Sequence, residues 1–260
     1  TLSNLKTNLS EEEMSKIVWN RWTIDKFSIH SLDKETGNNL YNNVTSIKKE
    51  ILNKWGLPNI DFNHEIRIFC CQSESVLKQL FSIEKSCFEF KKDKNVIYVW
   101  LVLENENLDS FKSLMMSVGL IELEHHYNYT FPVWIHRGMP LLSVNTQKTK
   151  ESLEYIQKTN KTQKIEVLIT TDYDAYNKLE DRLKKSFDVS SSLLCLMIRK
   201  EYGQDNFHKC MLKDTNVVSF LKFENSDNLN EKFRYYCAYL RSDFINNKID
   251  ENYIIITAKQ

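Results

Sequence analysis

Glu122 and His125 lie three residues apart in Ile121-Glu122-Leu123-Glu124-His125. The apolar residues ahead of them, Phe111, Leu114, Met115, Val118 and Ile121, recur every three or four positions. That spacing predicts one helix from about Asp109 to Tyr127 with its apolar side chains on one face. Glu122 and His125 extend the same stripe. An ionised carboxylate in such a stripe costs several kcal/mol unless something pairs with it. Glu and His on one helix face are also the residue types of general acid–base work and of metal ligation. A second, shorter helix is expected from Pro132 through Leu142, and it opens with Pro132-Val133-Trp134-Ile135-His136-Arg137-Gly138. His126 and His136 add two further candidate ligands, and Arg137 adds a permanent positive charge.

These two segments together resemble the core of the gluzincin metallopeptidases, the peptidase MA-like group. In that family a helix bears H-E-x-x-H and a following segment reads P-x-W-x-x-E-G. The resemblance implies two His at i and i+4 as zinc ligands, the Glu between them as general base on zinc-bound water, and the downstream Glu as third ligand. Flanking segments agree in order. Ile66-Arg67-Ile68-Phe69 and Ser73 to Phe81 resemble the family's strand and helix ahead of the site, and Val96 to Leu103 resembles its edge strand. Ser191 to Leu212, containing Glu201-Tyr202-Gly203, is similar to a later helix ending in Y-G, and Phe220 to Leu240 to the last helices. The resemblance spans about residues 60 to 242.

The departures bear on function. Ile121 stands where the first zinc-ligand His belongs, and Arg137 stands where the third-ligand Glu belongs. Only Glu122, at the position of the base, and His125, at that of the second ligand, match. A catalytic zinc needs about three protein ligands and an open position, and a guanidinium repels a dication. The resemblance therefore implies a vestigial site with no catalytic residue and no cofactor. Arg137 is expected to replace the metal electrostatically by pairing with Glu122. The role that follows is structural or protein-binding, with a protein partner or a larger assembly on the other side.

Two other functions stay open. A divergent, active metal-dependent peptidase would hold zinc on some set of His125, His126, His136 and Glu122. Adjacent His125 and His126 point about 100° apart on a helix, which works against their sharing one ion. A nuclease or toxin would act through Glu122 and His125, without the basic excess that nucleic acid favours. No G-x-G-x-x-G, P-loop or G-x-S-x-G pattern occurs.

The elements that must position these residues read as α+β: a small mixed sheet, then the zincin-type helix, then a mainly helical C-terminal part. Residues 1–60 are expected to form an N-terminal helical segment, with a capped helix from Ser10 and another from Tyr41 to Trp55 stopped by Gly56 and Pro58. Residues 61–145 hold the sheet and motif helices: a strand Glu65–Cys71, a helix Ser73–Ile83, and a hairpin of Cys87–Phe90 with Val96–Leu103. Residues 146–260 are expected to be mostly helical, as one compact unit with 61–145. Within them 144–163 reads as a linker, Lys164–Thr170 as a strand, Asp172–Arg241 as helices broken near Asp188, Gly203 and Asn225, and Tyr253–Thr257 as a last strand.

Composition bounds the class. Of 260 residues, 35 are Lys or Arg and 35 are Asp or Glu, so formal charge is zero and a dedicated phosphate-backbone binder is disfavoured. A hydrophobic share of 42% excludes wholesale disorder. No window approaches the roughly 18 apolar residues of a membrane span, and the polar stretch Thr1–Glu13 has no signal-peptide core. A cytoplasmic location is expected, with no membrane partner and nucleic acid disfavoured. Ala, Gly and Pro number only 3, 5 and 3, and Arg only 7, which points to an AT-rich genome. A phage or mobile element is the expected setting, so a virion is a second location. The six cysteines show no C-x-x-C and are expected as buried free thiols.

Overall fold

A computed structural model describes residues 17–103, 108–143, 151, 154–155, 162–212 and 216–245. The fold is α+β, with a five-stranded mixed sheet in the N-terminal part of the chain followed by a mostly helical C-terminal part. The strands are β1 (Asn20–Ile24), β2 (Phe27–Ser31), β3 (Glu65–Cys71), β4 (Cys87–Lys91) and β5 (Val96–Val102). Their order is β1-β2-β3-β5-β4, with β2, β3 and β5 parallel and the two outer strands antiparallel to their neighbours. The helices in chain order are α1 (Lys34–Lys54), α2 (Glu74–Phe81), α3 (Asp109–Tyr127), α4 (Val133–Ser143), α5 (Ile165–Thr170), α6 (Tyr173–Asn177), α7 (Asp181–Tyr202), α8 (Gln204–Met211), α9 (Val217–Phe220) and α10 (Ser226–Ile245). None is long and apolar enough to cross a membrane, among the described residues.

By contacts the described chain forms two units, residues 17–51 with 59–122 and residues 52–58 with 123–245. In the first unit β5 is buried from Val96 through Leu101. A parallel interior strand covered on both faces reads as such an unbroken apolar run. Phe69, Phe81, Tyr98 and Trp100 form its aromatic core, with Leu77 and Leu80 of α2 packed in. Ser73 starts α2 by accepting the Val76 N–H on its hydroxyl, the N-cap role expected of Ser.

In the second unit α7 is the central element, buried from Val189 through Arg199. Helix α4 crosses it at Gly138. A Cβ on Gly138 would lie 2.6 Å from the Ser191 carbonyl oxygen and 2.8 Å from Cys195 Sγ, so only glycine permits this approach. At the end of α1, Gly56 (φ 63°) takes the left-handed conformation. Its N–H reaches Asn53 O, and that of Leu57 reaches Leu52 O, closing the helix as a C-terminal glycine should.

Several expectations need correction. The N-terminal segment contains the β1–β2 hairpin as well as α1. Its turn, Asp25-Lys26, lacks the Gly or Asn that marks such turns, although Asp25 has φ 47°. Val96–Leu103 is not an edge: β5 pairs on both sides, and β4 is the outer strand. Residues 165–170 are helical, with Ile165 and Leu168 buried three apart and Val167 exposed. Five β-branched or apolar residues around one Glu do not separate strand from buried helix by periodicity. Helix α7 runs unbroken through Asp188 and stops at Gly203, as expected there. The helix expected from Ser10 lies almost wholly outside the described residues. The linker 144–163 does so largely, and the strand Tyr253–Thr257 entirely. The six cysteines are free, with five buried; burial pushes the Cys70 and Cys71 thiols up to about 12.

Candidate functional site

Glu122 is completely buried near the end of α3. The segment before β3 supplies its partners. Residues 57–63 belong to neither a helix nor a strand, so their backbone N–H groups need acceptors from elsewhere. Glu122 Oε2 accepts the Asn63 N–H at 2.7 Å, and Oε1 accepts the His64 N–H at 3.2 Å. Oε1 also lies 2.8 Å from His64 Nδ1. A carboxylate only accepts, so Nδ1 carries the proton. His64 is 1% exposed, with its ring edge-on to Phe90 at 4.7 Å. Phe62, next to this clamp, packs on Phe27 and lies under the Lys48 ammonium at 4.4 Å.

In the second unit Arg137 projects from α4 onto α7. Its Nε donates to Asp188 Oδ1 at 2.9 Å and its Nη2 to Oδ2 at 2.8 Å, a bidentate pair. The Tyr176 hydroxyl donates to the same Oδ1 at 2.9 Å, and the guanidinium lies 4.8 Å from the Tyr176 ring centroid. Burial works against the charge, but the Asp188 carboxylate holds the Arg137 pKa above its ordinary value.

Sequence alone paired Glu122 with Arg137. Each instead meets other partners within its own unit, and the correction has a physical reason. Glu122 accepts the Asn63 and His64 N–H groups ahead of β3. Arg137 faces a carboxylate that sequence reasoning took for a helix break. His125 was placed on the buried stripe and is exposed at the C-terminal end of α3, as is His126. The helix is buried on several sides (Met115, Met116, Val118, Leu120, Leu123), so the stripe has no sharp edge to extend. Cationic or polar His at that end suits the helix dipole.

His136 meets a carboxylate the sequence did not single out. Its Nε2 is 2.9 Å from Glu124 Oε1, which also accepts the Phe131 N–H at 2.5 Å. These bonds brace the turn between α3 and α4, and Tyr173 and Phe131 flank the His136 ring. Of the alternative metal set, His125 and His126 are exposed, His136 is bonded to Glu124, and Glu122 accepts from Asn63 and His64. Among the described residues no group of three or more His, Cys, Asp or Glu is placed to hold a metal ion.

The residues that sequence reasoning missed are His64, Asp188 and Tyr176. His64 stands directly before the β3 strand, the one available signal. Asp188 gave none, being an isolated acid among the apolar and small residues of α7. No protein-family model matches the chain, and no curated protein matches it.

Proposed function

We propose that this chain is a catalytically inactive, zincin-like protein that keeps a metallopeptidase-type scaffold for a structural or protein-binding role. The observation that carries this reading is the state of Glu122. A general base needs a lone pair aimed at water or substrate, and here both oxygens are engaged by three donors at zero exposure. Arg137, at the position of the third ligand, is likewise fixed on Asp188. Glu122 and Arg137 act as internal clamps.

Such a scaffold can still take up protein. Among the described strands β4 ends the sheet, and extended-peptide capture at an edge uses backbone N–H and C=O groups and no metal. The AT-rich composition supports a phage or mobile-element setting for such an assembly component.

Glu122→Gln tests the reading. A catalytic base would lose metal-dependent peptide hydrolysis on this change with little loss of stability. The proposed clamp loses stability, and the wild type shows no chelator-sensitive hydrolysis of a denatured protein substrate. Chelator-sensitive hydrolysis that Glu122→Gln abolishes overturns it.

A further inference from the structure

Arg199, near the C-terminal end of α7, is 5% exposed. A charged side chain so far from water is ordinarily paired. Arg199 is not: its Nε is buried without a hydrogen-bond partner, and among the described residues no carboxylate pairs with the guanidinium. Among the described residues its guanidinium meets the Trp55 ring, whose centroid lies 4.9 Å from Cζ. Burial alone draws its pKa down to about 10, well above neutral pH, so the charge is retained.

The surroundings hold this arrangement still. His208 Nε2 lies 2.9 Å from the Trp55 carbonyl oxygen, and Phe207 packs on the Trp55 ring at 5.3 Å. Gln204 fills the space beside Gly56, where a Cβ would fall 1.5 Å from its amide nitrogen. A flat guanidinium stacked on an indole keeps its N–H edge in plane. That edge matches two oxygens of a carboxylate or phosphate.

We propose that Arg199, stacked on Trp55, anchors a binding site for a small oxyanion of the phosphate or carboxylate type. With Arg199 only 5% exposed, the occupant is a free anion or a single anionic group rather than a broad protein surface. Cation–π contact is worth too little to offset a buried unpaired charge, whereas a bound oxyanion supplies both the missing acceptors and the missing countercharge. The proposal rests on Arg199 and Trp55 and not on the zincin-like reading.

The test is titration of the full chain with inorganic phosphate and, separately, acetate, each against chloride at equal ionic strength, read by Trp fluorescence and by thermal melting. Saturable binding of either probe is expected, and the preferred probe identifies the class. Arg199→Met keeps the stem on Trp55 and should weaken binding by about tenfold or more. Arg199→Lys keeps the charge, loses the fork, and should bind in between. Should Arg199→Met fail to fold, the Arg199→Lys comparison decides. Neither probe acting beyond chloride overturns the proposal, as does equal response of the wild type and the variants.

Discussion

Glu122 Oε1 and His64 Nδ1 stand 2.8 Å apart with both side chains sealed from solvent. This contact joins α3 to the segment that leads into β3. Glu122 is therefore part of the fold of its own unit.

Removing either partner leaves buried donors or a buried carboxylate unsatisfied. Glu122→Gln and His64→Ala should each lower unfolding free energy by about 2–4 kcal/mol. The pair should couple in a double-mutant cycle, with an interaction of roughly 1 kcal/mol or more. Urea unfolding measures both. Glu122→Gln within about 0.5 kcal/mol of wild type would mean the clamp contributes nothing.

At the α4–α7 crossing two effects of Gly138→Ala oppose each other. Alanine in a helix gains about 0.5–1 kcal/mol over glycine, while forcing a methyl into a packed contact costs about 1–3 kcal/mol. The nearest atom is the Ser191 carbonyl oxygen at 2.6 Å, held in a central helix and unable to turn aside. The clash should win, lowering the melting temperature. An unchanged or raised melting temperature would show that the crossing is looser than described.

His30 on β2 provides a pH dependence. Burial first, then the charges of Arg21 and Arg67, hold its pKa down to about 4, below the ordinary value near 6.5. The folded chain thus resists a proton that the unfolded chain accepts. The stabilisation is complete above about pH 6.5 and is lost as pH falls toward about 4. The ring is half-buried, stacked on Phe69 at 4.8 Å, so solvent screening reduces the effect to about 1–2 kcal/mol. His30→Gln should flatten this part of the stability profile, and NMR titration of the wild-type ring should show an acid-shifted midpoint. An ordinary midpoint near 6.5 would refute it.

Much of the fold was legible because its signals are local. Val96–Val102 is an apolar run after the charged turn of residues 91–94, Glu65–Cys71 is rich in β-branched and aromatic residues, and Asp109–Tyr127 is long with apolar residues at helical spacing. The β1–β2 hairpin was hidden by an unmarked turn, and α5 by its six-residue length. Glu122 was legible as a carboxylate in need of a partner, since burial follows from periodicity. The identity of that partner was not, because His64 is 58 positions away along the chain and enters by tertiary folding alone. Arg137 and Asp188, separated by 51 positions, were hidden for the same reason.

Zinc stoichiometry tests the central claim most directly. The chain, purified without chelators and dialysed against trace zinc, is analysed by inductively coupled plasma mass spectrometry. With Glu122 held by His64 and Arg137 by Asp188, the content should stay far below one ion per chain. One tightly retained zinc per chain, lost together with stability on substitution of His125, would contradict the account.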